Sequence, residues 1–474
     1  MKRPHILFLM SDEHRADVAG FAGNAIVRTP VLDRLASTGV VFSNAYCASP
    51  ICVPGRQAMM SGQLPRTCRC ERYGDDLAPG YMTWPRVFSQ HAYITTACGK
   101  LHHMGADQMQ GWRRRIGMDD MLIHESRFID GRVQAEFDRC TPGPEREGKW
   151  SDAKEIRRAG VGVGPHTEVW DEYATTGMEH AIREYFTDPY YDRPQGHCPH
   201  VLYLGLSNPH YPYLAQEELF EYYLPRVRPF INQARFDHPW LGKSPFMPGI
   251  VSIGPDGDVT EREVRRATAA YYANIEACDR RYGRILSRLE AAGQDLDDWI
   301  IVYTTDHGEM LGEHAIWEKQ KFFEGSARVP LIIRWPRGFD GGRVVSRNVS
   351  SCDLFATLCD LAGLPIPAGL DSRSLVPLLR GGDVAWRDEA VTQFGGVNLM
   401  IKWGALKYQY YGEDVPEVLF DLERDPGELR NAINDRQHAA IVTQFRIRVA
   451  ELGFGPKADT GYKNAGYHSA ATAR

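Results

Sequence analysis

The run Trp299-Ile300-Ile301-Val302-Tyr303 leads directly into Thr304-Thr305-Asp306-His307-Gly308-Glu309. Its apolar residues are consecutive and mostly β-branched or aromatic, so neither face of a strand built from them is polar. That is the pattern of a strand buried on both faces, as in a parallel sheet. The same arrangement recurs elsewhere. Ile6-Leu7-Phe8-Leu9-Met10 runs into Ser11-Asp12-Glu13-His14, and Tyr93-Ile94-Thr95-Thr96-Ala97 is followed by Gly99-Lys100-Leu101-His102-His103. Val201-Leu202-Tyr203-Leu204-Gly205-Leu206 is followed by Asn208-Pro209-His210-Tyr211-Pro212-Tyr213. Helical spacing lies between these runs. Thr29-Pro30 opens one helix through Leu32, Leu35 and Ala36, and a longer one spans about 261 to 292, with Ala267, Tyr271, Ile275, Tyr282, Ile285 and Leu289 on one face. Strands alternating with helices predict an α/β fold: a large, mixed, mostly parallel sheet sandwiched by helices.

After Leu379 the pattern changes. Short strand-like pieces (Ala390 to Phe394, Leu399 to Trp403, Leu406 to Tyr411, Glu417 to Asp421) precede one helix, about Gln437 to Leu452. We therefore expect a catalytic domain over 1–379 and a smaller α+β subdomain over 380–474. The segments from about Asp138 to Pro165 and from Pro225 to Asp258, rich in Gly, Pro and charge, read as surface insertions. The Gly- and Ala-rich tail from Pro456 reads as disordered or docked on a neighbouring subunit, which would make the protein a homo-oligomer.

The 474 residues, 43% hydrophobic and 24% charged with a net charge of −6, describe an ordinary globular chain without a nucleic-acid footprint. No apolar stretch is long enough for a membrane span, and Ile6 to Met10 is too short for the core of a secretion signal, so a cytoplasmic location is expected. Ten cysteines are then mostly free thiols, Cys68 and Cys70 included. Arg113 to Arg115 reads as solvated surface, and Lys321 as a surface lysine. Trp112, those arginines and the insertions are candidates for shaping a substrate pocket.

Ligands in open α/β sheets bind beyond the carboxyl ends of the strands. Four strands here deliver carboxylates, imidazoles and an ammonium to one edge. Asp12, Glu13 and Asp306 offer hard oxygen ligands and His307 a nitrogen, a set suited to one divalent cation. Ca²⁺ or Mn²⁺ fits it ahead of Mg²⁺. Ser49-Pro50-Ile51-Cys52-Val53-Pro54-Gly55-Arg56 combines a tight turn, a cysteine and an arginine just before a helix-like stretch. A cysteine at such a helix mouth faces the positive end of its dipole, which favours anions.

Cys52-Val53-Pro54-Gly55-Arg56 resembles the C-x-P-x-R signature of the sulfatase family within the alkaline-phosphatase superfamily. Asp12-Glu13, Thr29 to Ala36, Gly99-Lys100-Leu101-His102, Thr305 to Gly312 and Leu419 to Glu428 resemble further family motifs, in order along the chain. Gly105 to Gly111, Pro209 to Tyr213 and Trp317 to Pro330 look like choline sulfatases. Two departures stand against carrying choline specificity over: Glu13 replaces the glutamine found there, and the C-terminal tail that helps build the choline pocket is shorter. The resemblance implies an alkaline-phosphatase-like fold and a sulfuric ester hydrolase. Its nucleophile would be formylglycine, made from Cys52 by a maturation enzyme, and its substrate a small sulfate ester. It implies that Arg56 orients the nucleophile, that Lys100 and His102 act beside it, and that His210 or Lys319 protonates the leaving alcohol. A phosphonate monoester or phosphodiester hydrolase of the same superfamily is the alternative. A reading of another class is an unmodified, inactive anion-binding homologue.

Overall fold

The computed structural model describes residues 3–117, 151–187, 198–241, 251–382 and 384–455. An eight-stranded sheet forms its centre. In chain order its strands are β1 (His5–Asp12), β2 (Val40–Phe42), β3 (Ile94–Gly99), β4 (Arg114–Ile116), β5 (His200–Pro209), β6 (Trp299–Thr305), β7 (Leu331–Arg334) and β8 (Arg343–Val345). The spatial order is β8-β2-β7-β6-β1-β5-β3-β4, and β7 alone runs against the others. The four apolar runs thus become the adjacent central strands β6, β1, β5 and β3. The sheet is large, mixed and mostly parallel, as expected.

The main helices are α1 (Pro30–Thr38), α2 (Cys52–Ser61), α3 (Trp84–Gln90), α4 (Trp170–Phe186), α5 (Glu261–Ala291), α6 (Leu354–Leu361) and α7 (Ala439–Glu451). The first six of these cover both faces of the sheet. Side chains alternate along a strand, so Ile6, Phe8 and Met10 of β1 enter one core with Trp84, Phe88 and Phe355. Leu7 and Leu9 enter the other with Met178, Ile182, Ile285 and Leu289. Burying each such side chain contributes about 1.5–3 kcal/mol, which fixes β1 at the middle. Two polar devices set the helices. Thr260 and Glu263 form a reciprocal capping box at the start of α5. Asp279 of α5 accepts the Val31 and Leu32 N–H groups at 3.1 and 2.9 Å, capping α1 from outside.

A separate antiparallel sheet follows: β9 (Glu389–Phe394), β10 (Asn398–Trp403), β11 (Leu406–Tyr410) and β12 (Val418–Asp421). Val442, Phe445 and Val449 of α7 pack on its Leu399, Ile401, Tyr408 and Leu419. The same cluster takes in Ala48 and Ala58, on either side of Cys52. Thr392 of β9 donates to Cys47 O at 2.7 Å and Gln393 N–H to Ala48 O at 2.9 Å. The small sheet therefore buttresses the segment that carries Cys52.

Some expectations hold and others need correction. The presumed surface excursion includes a helix, Ser151–Arg158, whose Ile156 is fully buried against the α5 core; its charges masked an Ala153/Ile156 spacing. Arg114 lies in the edge strand β4 and pairs with Glu184 at 2.7 Å. Trp112 is buried in the core against Trp84 and Tyr203 rather than exposed at a pocket wall. Lys321 is buried, its ammonium donating to Trp317 O at 3.0 Å. The nine described cysteines, with Cys68 and Cys70 among them, are free. Among the described residues no helix is long and apolar enough to cross a membrane. The tail from Pro456 and residues 138–150 and 242–250 of the insertions lie outside the described residues.

One glycine holds two strand ends together. At Gly99, at the end of β3, φ is +83°, and a Cβ there would stand 2.1 Å from Gly205 O. Gly99→Ala is expected to destabilise the fold by more than about 1 kcal/mol, as measured by denaturant unfolding.

Candidate active site

Strand register assembles the site. Ser11 pairs with Thr305, so Asp12 and Asp306 leave the sheet side by side. On the other flank Asp12 pairs with Pro209, which brings His210 close, and Gly99 pairs with Gly205, which brings Lys100. Helix α2 enters from one face of the sheet with Cys52 in its first turn. It can do so because residue 55 is glycine: a Cβ there would meet Ser49 O at 2.9 Å and Asp306 O at 3.2 Å.

Arg56, only 1% exposed, is the organising cation. It bonds Asp12 Oδ2 through Nη2 and Asp306 Oδ2 through Nε, both at 2.8 Å. Its Nη1 donates to Lys100 O at 3.0 Å and Tyr203 OH at 3.1 Å. Lys100 Nζ lies 3.0 Å from Asp12 Oδ2. Burial works against charge on Asp12, but Lys100 and Arg56 outweigh it and hold the carboxyl well below the usual range. Asp306 Oδ1 accepts the N–H groups of Glu13 at 3.1 Å and His307 at 3.0 Å.

Cys52 Sγ lies 3.1 Å from His307 Nε2 and 3.7 Å from Asp12 Oδ1. His307 donates from Nδ1 to Gly308 O at 2.9 Å, which leaves Nε2 as a lone pair facing the thiol. Burial lowers the His307 pKa, so the ring is neutral. Burial and then Asp12 push the Cys52 thiol well up, so the unmodified side chain is a neutral thiol rather than a reactive thiolate.

A second constellation adjoins the first. Glu13 has φ +65°, which turns its side chain away from Asp306 toward Lys319 and His210. Glu13 Oε2 lies 3.0 Å from Lys319 Nζ and 3.4 Å from His210 Nε2. Burial, and after it Glu309, raises the Glu13 pKa well above the usual range although Lys319 opposes the rise. His210 donates from Nδ1 to Tyr211 O at 2.6 Å and accepts at Nε2 from Lys319. Burial first, then Lys319 and Lys100, hold His210 well below an ordinary histidine. Burial also opposes charge on Lys319, but the acidic groups around it, Cys52 and then Glu13 foremost, raise its pKa well above an ordinary lysine's. Its ammonium lies 4.9 Å from the centre of the Tyr211 ring.

The donor atoms of Asp12, Cys52, Asp306 and His307 lie within 4.8 Å of one another, and so do those of Asp12, Glu13 and His210. The four candidate metal ligands thus fall into two groups that share Asp12. His102 follows β3 in a left-handed conformation, φ +55°; its carbonyl accepts from Gln57 Nε2 at 3.0 Å, and its ring meets Tyr73 edge-on. Glu309 follows Asp306 in the same strand-end segment. It accepts the Leu311 and Glu318 N–H groups at 2.7 and 2.6 Å and the Tyr213 hydroxyl at 3.2 Å. Its signal was its place three residues after Asp306. Tyr203 carried no signal, since a tyrosine in a buried strand reads as core.

Comparison with known proteins bears on the family and the fold. Residues 4–364 match the sulfatase family, and residues 312–453 match the C-terminal region of N-sulphoglucosamine sulphohydrolase. The chain is 31% identical to the choline-sulfatase of Rhizobium meliloti (strain 1021), over 94% of this chain and 86% of the relative. It is 30% identical to arylsulfatase K of Gallus gallus, over 90% and 79%. It is 28% identical to the arylsulfatase of Clostridium perfringens, over 95% and 94%. Among solved structures, the phosphonate monoester hydrolase of Agrobacterium radiobacter superposes with a TM-score of 0.74 at 24% identity, covering 95% of both chains. A protein in complex with its substrate D-glucosamine-2-N,6-O-disulfate gives 0.73 at 20%, covering 95% of this chain and 97% of its own. At those identities the structural likeness speaks for the fold. The family match over most of the chain and the full-length relatives say more: the chain belongs to the sulfatase family, the hydrolases of sulfuric esters.

Proposed function

We propose that this enzyme hydrolyses a small sulfate ester to its alcohol and inorganic sulfate, with residue 52 in its formylglycine form and one divalent cation beside it. The observation that carries the reading is the position of Cys52. It sits in the first turn of a helix, within 3.1 Å of a neutral imidazole and 3.7 Å of a carboxylate, with Arg56, Lys100 and Lys319 around it.

The residues present fit a cation. Asp12 and Asp306 supply oxygens and His307 Nε2 a lone pair, and the buried Glu13 Oε1 has no hydrogen-bond partner. Oxygen donors with one nitrogen suit Ca²⁺ or Mn²⁺, then Mg²⁺. When present, formylglycine supplies a hydrated aldehyde as nucleophile, and the cation supplies Lewis-acid stabilisation of developing negative charge.

The protein's own residues do the rest. Arg56 fixes the two aspartates relative to α2. Lys100 and Lys319 place positive charge on either side of the transferring group, in a site dry enough for fixed charges to act strongly. His102, with Lys100 on the nucleophile side, would take up a proton from the hydroxyl that formylglycine supplies at residue 52. Lys319 is protonated, whereas His210 is neutral and presents a lone pair to it. The proton for the leaving alkoxide therefore resides on Lys319, with His210 next in line to share it.

The test compares leaving groups. His210→Ala and Lys319→Ala are each expected to lose about 10²–10⁴ in rate on an alkyl sulfate and far less on 4-nitrophenyl sulfate, whose phenolate leaves unaided. Equal losses on both substrates would assign the pair to sulfate binding. Parallel rates on an aryl sulfate and a phosphonate monoester decide between the proposed reaction and the phosphonate alternative.

A further inference from the structure

The C-terminal sheet reaches the leaving-group side through one buried ion cluster. Lys407 of β11 is fully buried, and its ammonium has three partners: Glu324 Oε1 at 2.5 Å, Glu428 Oε1 at 2.8 Å and Phe322 O at 3.0 Å. A lysine has three N–H donors, so the set is complete. Glu428, in the turn after β12, uses its other oxygen to accept the Glu324 N–H at 2.7 Å. Tyr46, just upstream of the Cys52 turn, donates to Glu324 Oε1 at 3.1 Å, and Arg328 pairs with Oε2 at 3.0 Å.

These contacts fix residues 322–324. At the other end, Glu318 N–H is held by Glu309 Oε1 at 2.6 Å. Lys319 lies between the two anchors. Its neighbours Glu318 and Gln320 both have left-handed backbones, φ +60° and +71°, although neither is glycine. Such backbones persist only where the surroundings over-determine them. An apolar side chain at position 407 could fill the same space without the desolvation that a buried charge suffers. It could not supply three directional bonds.

We propose that Lys407 and Glu428 are positioning residues, a clamp through which the small sheet holds the 317–324 loop so that Lys319 meets Glu13 and His210. The inference rests on the reading of Lys319 as the leaving-group proton donor. The clamp touches neither substrate nor cation and acts only through the loop.

The experiment uses Lys407→Met and Glu428→Gln in the full-length enzyme, with Lys319→Ala and the Lys319→Ala/Lys407→Met double variant. For Lys407→Met, amide exchange across 317–323 is expected to rise while that of β1 stays as in the parent. Its kcat on an alkyl sulfate is expected to fall roughly ten- to hundredfold further than on 4-nitrophenyl sulfate, with KM little changed. The double variant is expected to be no slower than Lys319→Ala alone, because the two changes remove one function. Unchanged exchange with unchanged leaving-group dependence would overturn the clamp, as would independent, multiplying losses in the double variant. If Lys319→Ala itself proves insensitive to the leaving group, the reading of Lys319 fails, and the exchange measurement still decides whether the clamp exists. Glu428→Gln keeps the side-chain volume and an acceptor for Glu324 N–H, so it carries the same measurements if Lys407→Met does not fold.

Discussion

Cys52→Ala is expected to abolish turnover, by a factor of about 10⁴ or more, while the protein stays folded. Alanine suits the first turn of a helix, and the side chain it replaces is 2% exposed and small. What disappears is the one atom at residue 52 from which a nucleophile can be made. Arg56, Lys100, Lys319 and the carboxylates remain, so the variant should still bind sulfate and a divalent cation. Turnover of 4-nitrophenyl sulfate, circular dichroism and calorimetric titration with Ca²⁺ and Mn²⁺ measure the three properties separately. Appreciable residual turnover would end the proposed mechanism. Intact-mass analysis of the parent, expressed with a maturation enzyme, should show the thiol replaced by an aldehyde. A fully active protein that retains the thiol would contradict the proposal equally.

Arg56→Met is expected to act on stability first. In the parent one guanidinium bridges Asp12 and Asp306, both fully buried. Removing one partner from a buried charge network typically costs about 3–5 kcal/mol. The full loss should appear in chelator, where Lys100 is the remaining ammonium or guanidinium partner of Asp12 and Asp306 keeps backbone and hydroxyl donors. Adding Ca²⁺ or Mn²⁺ should restore part of it, because an ion that binds the folded state alone stabilises that state by mass action. Denaturant unfolding with and without the cation measures both effects. If the variant matches the parent in chelator, the two aspartates do not depend on Arg56. If cation stabilises neither protein, the proposed ligand set is wrong.

The sequence made the central sheet legible because burial on both faces leaves a continuous apolar run, and β6, β1, β5 and β3 all show one. Strand β7 was hidden. Leu331-Ile332-Ile333 is too short to separate from core helix, and no crossover helix announces a strand that runs antiparallel to its neighbour. The site residues were legible as types at strand ends, but their partners were not. Asp12 and Glu13 are adjacent in sequence, yet the left-handed turn at Glu13 sends the two carboxylates to different neighbours. The left-handed Gln320 similarly lets Lys319 and Lys321 both point inward, where the sequence suggested one buried and one solvated lysine. Lys407 had no signal at all, since an isolated lysine in a short strand reads as its solvent-facing side.

The placement of β1 at the centre of the sheet sets a timetable for synthesis. Strand β1 comes from residues 5–12, but its partners β5 and β6 come from residues 200–209 and 299–305. The pocket that encloses Cys52 cannot close until β6 has left the ribosome. About 250 residues separate Cys52 from the end of β6, which at ribosomal speeds is roughly ten to fifty seconds. During that interval the strands that complete the pocket are not all present; afterwards Cys52 is 2% exposed. On the proposal that residue 52 is converted to formylglycine, the converting enzyme would read it as nascent chain, from its local sequence, and a chain that folded first would keep the thiol.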